Sequence, residues 1–465
     1  MASVMRYIYQ VLWTLRGAEW VLMPPMSRGA SFRIVGSQAN QDRAVHLVVR
    51  NEELRKMELG YTAPDHVRRA ITSLDRTEDV RFSPNNRRLA VSSFMKHTLA
   101  LFDISISGSP AQIVLTNVVE FSSHYLRYPH NIEFITDSTI IVANRGSKAG
   151  ESDEGSIAVF ELPPSGQEKT RELKPVEVMR SRVLNSPGNV SIIGAGQNRW
   201  EMLICDNFGN KVTRHILDLN TKPIMHGEET LLRKWLSVPC GISVSEPWIA
   251  ISNHAGGNVL LYQNTEALSE DADPEGILRG LLLPHGVRFA SDGRFLLVAD
   301  AAAPFVQIYR NDDFGWHGVR GPVKSVKVVK DSDFLRGKAL ADDGRQGGPK
   351  GLDVDRSANV LVTTCELQPL AFFDLGAILE SLSLPDRGHS NSPPRSDKTI
   401  DLDPIRLDLN YELEKTKELI ELRDRELYLS NKIAALCNSR SWQITAPMRS
   451  IGAFLRSRFH RHLTT

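Results

Sequence analysis

Residues 284–310 read PHGVRFASDGRFLLVADAAAPFVQIYR. Residues 287–290 and 305–309 alternate in polarity, residues 295–299 are continuously apolar, and residues 291–293, Ser-Asp-Gly, have the composition of a tight turn. β-Branched and aromatic residues bounded by Gly, Asp and Pro are typical of strands joined by short turns. The stretch therefore predicts three consecutive strands of one antiparallel sheet.

The same pattern recurs along the chain. Each copy opens with a related hexapeptide: TEDVRF at Thr77, PHNIEF at Pro129, PGNVSI at Pro187, PCGISV at Pro239, PHGVRF at Pro284 and PKGLDV at Pro349. An apolar strand and then a third strand follow each hexapeptide. Repeats of about 40–50 residues indicate propellers or solenoids, and radial closure protects the edges of small sheets. The sequence thus predicts an all-β fold, a six-bladed β-propeller with a C-terminal helical extension.

The chain divides into four predicted regions: an N-terminal helical extension (1–30), the propeller (31–384), a linker rich in Ser and Pro (385–403) and a helical tail (404–465). The last copy has a clear third strand but a doubtful fourth one. We expect an N-terminal strand, at residues 44–49, to complete the last blade and close the ring. The alternative is that residues 377–384 supply that strand.

Composition restricts the classes of partner and compartment. A formal net charge of +1 over 465 residues does not indicate nucleic acid as a partner. Four scattered cysteines without CxxC spacing suit a reducing compartment. Charged residues interrupt the N-terminal apolar positions, so we expect neither a signal peptide nor a spanning helix there. We expect a cytoplasmic protein, either wholly soluble or peripheral at the inner membrane.

In a propeller the first strand of each blade lines the central channel, so polar residues at its start meet in one funnel. As possible general acids or bases, these positions offer Glu78, His130 and His285. As further ligand-binding groups they offer Asp79, Asn131, Asn189 and Lys350. The alternative for each histidine is a hydrogen bond that pins its blade to the neighbouring strand.

The repeats resemble three families: NHL-type propellers, the gluconolactonase and paraoxonase group, and bacterial 6-phosphogluconolactonases. The stretch PHGVRFASDGRFLLVAD carries the last resemblance, and Glu78-Asp79-Val80 the second. The gluconolactonase and paraoxonase resemblance implies a central Ca²⁺ on oxygen ligands, for which Glu78, Asn131 and Asn189 are the matching positions. The sequence departs from that pattern by placing Gly241, Gly286, Gly351 and Lys350 at or beside the equivalent positions of the other blades.

The tail contains the most specific short motif, SRSWQITAPMR at residues 439–449. It resembles the S-x-S-W-[RK]-[IL]-T-x-P-[LM]-R tail of bacterial glycosyltransferases and other surface-polysaccharide assembly proteins, with Gln443 in place of Arg or Lys. Apolar and cationic side chains lie close together in this segment: Trp442, Phe454 and Leu455 with Arg449, Arg456 and Arg458. Such a set suits an anionic membrane surface or an acidic partner. The alternative is a helix that docks on the propeller or on another subunit.

Two classes of function stay open on the sequence. The first is a non-enzymatic binding or scaffold propeller, attached through its tail to polysaccharide-assembly machinery at the cytoplasmic membrane face. The second is a lactone or ester hydrolase that uses the channel residues, with or without calcium. The sequence contains no nucleophile elbow, phosphate loop or HExxH signature. A fold alone does not define an activity. The incomplete set of calcium ligands favours the binding function, while Glu78, His130 and His285 keep the hydrolase open.

Overall fold

The computed structural model describes residues 57–382, apart from 147–154, 167–170, 197, 221–223, 312–314, 342–343 and 358. Within these ranges most of the regular structure is β-strand, arranged in six small sheets. The first strands of successive sheets contact one another in a closed ring, the sixth against the first. The predicted six-bladed β-propeller is therefore confirmed, while the C-terminal helical extension lies outside the described residues.

Each blade has four antiparallel strands, which follow one another from the channel outward. Blade 1 contains Thr77–Phe82, Arg88–Ser93, Thr98–Ser107 and Gln112–Ser122; blade 2 contains Pro129–Phe134, Thr139–Asn144, Ser156–Glu161 and Glu177–Met179; blade 3 contains Pro187–Gly194, Arg199–Asp206, Lys211–Asp218 and Ile224–Leu232. Blade 4 contains Pro239–Ser245, Trp248–Asn253, Asn258–Gln263 and Gly276–Leu278; blade 5 contains Pro284–Ala290, Phe295–Asp300, Phe305–Arg310 and Lys324–Lys327. Blade 6 contains Gly351–Val354, Val360–Thr364, Ala371–Asp374 and Glu58–Leu59.

Three short strands extend two of the blades. Tyr61–Thr62 and Arg171–Glu172 pair in parallel with the outer strand of blade 1, and Gly318–Arg320 pairs in parallel with the outer strand of blade 4. These additions cover sheet edges that would otherwise expose unpaired backbone groups.

The stretch that predicted the fold forms blade 5 as expected. Its turn, Ser291 to Gly293, has three successive positive φ angles of 51°, 55° and 83°. Asp and Gly tolerate this left-handed region better than β-branched residues do. The turn therefore lets the first strand reverse directly into the second.

Polar residues at the ends of the second strands fix the loops that lead into the first strands. Asp300 accepts hydrogen bonds from the N–H groups of Leu282 and Leu283 at 2.8 and 2.9 Å. Asp206 does the same for Ser186 at 2.6 Å, and Asn144 for Arg127 at 3.1 Å. Short polar side chains at strand ends commonly satisfy loop amides in this way.

In the part of the chain that the structure describes, the hydrophobic core consists of six clusters, one between each pair of adjacent blades. The cluster between blades 4 and 5, for example, brings Leu261 and Trp248 against Leu296 and Tyr309, all buried. Both faces of each central strand are thus covered, which explains why the second strands read as continuous apolar runs. The propeller is held together by face-to-face packing of its blades.

An N-terminal strand closes the ring, and its residues differ from the predicted ones. Glu58 pairs with Phe373 and Leu59 with Phe372, which completes blade 6. Residues 44–49 lie outside the described part of the chain. The alternative, a strand at residues 377–384, is wrong because Leu375–Glu380 forms a helix, α3. Asp374 caps the N-terminus of this helix: its side chain accepts a hydrogen bond from the Ala377 N–H. Leu375, Ile378 and Leu379 are its buried face, a helical rather than an alternating spacing.

Two further helices, α1 (Asp65–Ser73) and α2 (Asp331–Leu340), lie between strands. Helix α1 buries Val67, Ala70 and Ile71 and contacts the outer strand of blade 1. Among the described residues, no helix has the length and apolar character needed to span a membrane.

Candidate functional site

Five of the six inner strands begin with a β-bulge, which decides the side chains that enter the channel. In blade 1, Thr77 pairs with Ser93 and Val80 with Val91, so Glu78 and Asp79 both lie opposite Ser92. The same irregularity occurs at the start of the inner strands of blades 2 to 5. A bulge breaks the simple in-and-out alternation of a strand. Consecutive residues at these positions therefore take different roles.

The bulges and the start of blade 6 bring polar side chains of four blades together at Glu78. One oxygen, Oε1, lies 3.1 Å from Lys350 Nζ and also accepts a hydrogen bond from Arg76 Nε. The other oxygen, Oε2, lies 3.3 Å from His285 Nε2 and 3.9 Å from His130 Nε2. Glu78, His130, His285 and Lys350 retain only 1, 2, 7 and 3% of their surface exposure. We call these four residues the channel cluster.

Burial and charge set the protonation states in the channel cluster. Burial raises the pKa of Glu78, but Arg76 and Lys350 outweigh it and hold that pKa well below the usual range. Burial lowers the pKa of His130 well below its ordinary value, against the attraction of Glu78. Burial also lowers the pKa of Lys350. The cluster therefore contains an ionised carboxylate next to a neutral imidazole.

Hydrogen bonding fixes the tautomer of His130. Its Nδ1 lies 2.8 Å from the carbonyl oxygen of Gly188 and must donate, because a carbonyl only accepts. The neutral ring then has an unprotonated Nε2 on the side of Glu78. The rings of His130 and His285 stack with their centroids 5.2 Å apart. His130 thus pins blade 2 to blade 3, as one alternative predicted, and still presents a lone pair to the channel.

Aromatic and cationic side chains flank the channel cluster. The Arg145 guanidinium lies 5.0 Å from the ring centre of Phe94 and 5.1 Å from that of Phe208. The Arg76 guanidinium also lies 5.0 Å from the ring centre of Phe94. Phe208 is 39% exposed. We call Arg76, Phe94, Arg145 and Phe208 the rim.

The predicted ligand-binding residues Asp79, Asn131 and Asn189 bind the neighbouring blade in the structure. Asp79 accepts hydrogen bonds from Asn131 Nδ2 at 2.6 Å and from the Ile132 N–H at 3.0 Å. Asn131 Oδ1 accepts from the Val190 N–H at 2.9 Å, and Asn189 Oδ1 accepts from Ile242 at 3.4 Å. These residues link blades 1 to 4, whereas Glu78, His130, His285 and Lys350 come together in the channel.

Glycine replaces these linking side chains in the other three blades. A Cβ on Gly286 would lie 2.5 Å from the Lys350 carbonyl oxygen, and one on Gly351 would lie 2.6 Å from Asp79 Cα. A Cβ on Gly241 would lie 2.2 Å from the His285 carbonyl oxygen. At these positions the inner strands approach one another too closely for any side chain.

A second charged layer crosses the channel, and it was not predicted from the sequence. Arg288 of blade 5 lies 2.9 Å from Asp353 and 3.5 Å from Glu133, and Arg81 lies 3.5 Å from Glu133 and 2.9 Å from Asp79. Burial lowers the pKa of Arg288, but Asp353 and Glu133 outweigh it and raise that pKa. Burial raises the pKa of Asp79 to about 6, although Arg81 lowers it. The signal was present as a charged residue inside otherwise apolar inner strands, in VRF, IEF and LDV.

The donors at the channel cluster do not fit calcium. Calcium prefers six to eight oxygen ligands. Glu78 is the carboxylate at this position, Lys350 adds a cation at 3.1 Å, and the amide oxygens of Asn131 and Asn189 are engaged with backbone N–H groups. The calcium site implied by the family resemblance stays a prediction that this donor set does not favour.

Cys240, also at a bulge, is not a reactive nucleophile. Burial raises the pKa of its thiol to about 12, and its sulfur accepts a hydrogen bond from Asn207 at 3.2 Å. A thiol is nucleophilic as the thiolate. The proposed tail residues, Trp442, Arg449, Phe454, Leu455, Arg456 and Arg458, lie outside the described residues.

Comparison with known proteins identifies solved structures of similar fold. No family model and no curated protein matches the chain. A putative 6-phosphogluconolactonase from Bacteroides uniformis is 13% identical (TM-score 0.38), with 62% of this chain and 77% of that one covered. A functionally unknown protein from Desulfotomaculum acetoxidans is 14% identical (TM-score 0.41, 64% and 83% covered). A luciferin-regenerating enzyme is 10% identical (TM-score 0.41, 65% and 92% covered). The propeller fold rests on the strand register of this chain itself.

Proposed function

We propose that this protein is a binding propeller that takes a small anionic molecule at the mouth of its central channel. The convergence of Glu78, His130, His285 and Lys350 from four separate blades supports the proposal, because sequence-distant polar groups gathered at one point are typical of a binding site. The rim adds the Arg145 guanidinium beside two phenylalanine rings, and a guanidinium is the side-chain group best suited to recognise a carboxylate or phosphate.

The charge of the site supports an anionic ligand. The cationic side chains at the channel cluster and rim are Lys350, Arg76 and Arg145, and the carboxylates that act on them are Glu78 and Glu366. Among these five side chains, positive charge exceeds negative charge. We expect a ligand with one carboxylate or phosphate group and an apolar or sugar-like body for the exposed ring of Phe208.

The direct test is a thermal-melt screen with matched pairs of charged and neutral small molecules, such as sugar phosphates and the parent sugars. The strongest ligand is then titrated calorimetrically into the wild type, Arg145→Ala and the control Arg294→Ala. Arg294 is exposed in the first hairpin of blade 5, at the opposite end of the inner strand. We expect at least about a tenfold loss of affinity for Arg145→Ala, equivalent to about 1.4 kcal/mol, and none for the control. Equal affinity in all three proteins would overturn the proposed site.

Hydrolysis of a lactone or ester is the second candidate function. The observation that favours it is the unprotonated Nε2 of His130 beside Glu78, a geometry that suits a general base for water. Glu78 is ion-paired and the thiol of Cys240 has a raised pKa, so neither side chain is suited to attack the substrate. The nucleophile of this candidate reaction is therefore water. A screen of aryl esters and lactones tests this function: turnover that His130→Asn abolishes would support it, and turnover that survives would not.

We further propose that the tail attaches the propeller to its site of action. The proposal rests on the SRSWQITAPMR motif alone. The proposed partner is a glycosyltransferase or another polysaccharide-assembly protein, or an anionic membrane surface. The ligand of the channel would then be a molecule of that assembly system, so the thermal-melt screen should include nucleotide sugars and uronic acids.

A further inference from the structure

Three potential metal-binding atoms of the channel cluster lie close together. They are Glu78 Oε2, His130 Nε2 and His285 Nε2, and all three lie within 4.8 Å of one another. Each comes from a different blade, at a bulge of its inner strand. The propeller frame thus holds in place three side chains that are 52 to 207 residues apart in sequence.

The two oxygens of Glu78 are unequally satisfied. Oε1 accepts from Lys350 and Arg76. Oε2 is buried, and its polar neighbours are His285 Nε2 at 3.3 Å and His130 Nε2 at 3.9 Å. A buried carboxylate oxygen needs a donor or a cation to offset its burial. A cation held by Oε2 and the two imidazole nitrogens would supply that charge.

His130 presents its Nε2 to the same oxygen. Its Nδ1–H donates to Gly188, and its Nε2 lies 3.9 Å from Glu78 Oε2. The ring orientation also matches a metal-bound histidine, which usually donates its other N–H to a carbonyl or carboxylate.

We propose that Glu78, His130 and His285 bind a divalent first-row transition metal ion, with Zn²⁺ as the preferred ion. Two imidazole nitrogens and one carboxylate oxygen suit zinc and its neighbours in the series and do not suit calcium. Zinc ligands lie about 2.0–2.2 Å from the ion, which places them roughly 3.4 Å apart in a tetrahedron. The observed separations of the two nitrogens from Oε2, 3.3 and 3.9 Å, lie on either side of that value.

Lys350 and Arg76 are compatible with the proposed ion because they bind the opposite oxygen of Glu78. Three protein ligands would leave one tetrahedral position for water or for an anionic group. The inference stands on the cluster geometry and does not depend on the proposed anionic ligand. Metal binding is accordingly measured without any organic molecule.

The test uses the full chain, stripped with a chelator and titrated with Zn²⁺ alone in a competition assay against a zinc-binding dye. We expect one ion per chain in the wild type. Since loss of an outer contact to a ligand already weakens metal binding by about 10–100-fold, loss of a ligand should weaken it by more than about 100-fold. This is the expected result for His130→Asn and for His285→Asn. The control Cys240→Ser changes another bulge residue outside the cluster and should bind zinc as the wild type does.

A spectroscopic measurement on the unaltered protein covers the case in which a variant fails to fold. X-ray absorption of the zinc-loaded wild type should show two imidazole nitrogens, additional oxygen ligands and no sulfur. The proposal is overturned by a stripped wild type that takes up no zinc, by sulfur in the first coordination shell, or by one tight site that persists in a folded His130→Asn, His285→Asn double variant. If zinc binds as expected but no anion binds, the anionic-ligand proposal alone is wrong.

Discussion

Glu78 shows how one buried residue serves two different purposes in this fold. Its Oε1 neutralises the buried ammonium of Lys350 and the guanidinium of Arg76, while its Oε2 faces the two histidines. The first oxygen therefore contributes to stability, and the second belongs to the metal site that we propose. Substitutions of the partners of each oxygen should separate the two effects.

Replacing Lys350 with Met should destabilise the protein even though the substitution creates no cavity. The substitution leaves the buried Glu78 carboxylate with fewer cationic partners, and breaking a buried ion pair typically costs about 3–5 kcal/mol. Urea denaturation of the wild type and Lys350→Met measures the loss. Adding Glu78→Gln to the same chain should recover part of it, because the uncompensated charge is then removed. A double variant no more stable than Lys350→Met would contradict the charge explanation.

His215 should make the stability of blade 3 depend on pH. Burial lowers the pKa of this histidine, whose Nδ1 lies 2.6 Å from the Gly227 carbonyl and whose Nε2 lies 3.0 Å from Thr213 Oγ1. The unfolded chain then takes up a proton below its own pKa of about 6.5, before the folded one does. The stabilising contribution is complete above that pH and is lost as the pH falls toward the lower folded value.

The check is urea denaturation of the wild type and His215→Gln at about pH 8 and about pH 5.5, values on either side of the ordinary histidine pKa. The wild type should lose more stability on acidification than the variant does. An equal loss in both proteins would mean that other groups cause the whole pH dependence.

At the scale of single elements, the inner strands follow two rules for joining neighbouring blades. Blades 1 to 3 use Asp79, Asn131 and Asn189 to bind the backbone of the next blade. Blades 4 to 6 use Gly241, Gly286 and Gly351 to bring the backbones together directly. One visible result is the hydrogen bond from the Gly286 N–H to the Lys350 carbonyl at 2.9 Å.

Gly286→Ala should therefore destabilise the ring by about 1–3 kcal/mol, the usual cost of forcing extra volume into a packed interior. The new Cβ would lie 2.5 Å from a backbone oxygen that cannot rotate away. Gly194→Ala, also on an inner strand but with open space around it, is the matched control and should change stability by less than about 0.5 kcal/mol. Equal effects in the two variants would show that close approach is not the reason for glycine.

The strand pattern predicted the elements well and the orientation of site residues less completely. Alternating and continuous apolar runs identify strands because each face of a blade packs on a neighbour, as in blade 5. A bulge leaves no such pattern, so Asn131 and Asn189 were grouped with His130 although they bind the adjacent blade. The charged layer of Arg81, Glu133, Arg288 and Asp353 was visible as single charges in apolar strands, but its pairing spans four blades.

The whole molecule depends on a closure that joins distant parts of the chain. Glu58–Leu59 completes blade 6 through Phe372 and Phe373, more than 310 residues away. The sequence predicted that an N-terminal strand closes the ring, but a two-residue strand carries too little pattern to be located. Leu59 of this strand and Tyr61, which follows it, pack against the hydrophobic cluster between blades 6 and 1.

Two truncated chains isolate this closure. A chain that begins at Met57 keeps both short N-terminal strands, whereas one that begins at Ala63 loses Glu58–Leu59 and Tyr61–Thr62. We expect the shorter chain to melt at least about 5 °C lower, since each 1 kcal/mol shifts the melting temperature of a large domain by about 2–4 °C. Calorimetric melts of the two chains provide the measurement. Coincident melts would mean that the closing strand contributes nothing to stability.

Removing residues 439–465 tests the proposed role of the tail. Each basic residue near an anionic leaflet contributes about 1 kcal/mol, so loss of Arg449, Arg456 and Arg458 should release the protein from membranes or from its partner. The propeller should keep its cooperative melt. Fractionation of cells that express the full and the shortened chain measures the distribution. An unchanged membrane fraction would exclude the anchor, and a lost melt would place the tail in the propeller's own core.

The central claim is that the channel cluster is the binding centre of the propeller. A crystal structure of the wild type, grown with Zn²⁺ and with data collected at the zinc absorption edge, tests it most directly. We predict one anomalous peak about 2.0–2.2 Å from Glu78 Oε2, His130 Nε2 and His285 Nε2, with density for a further ligand between the peak and the rim. Zinc bound only at surface histidines, with the channel cluster closed around an ordinary water, would contradict the claim.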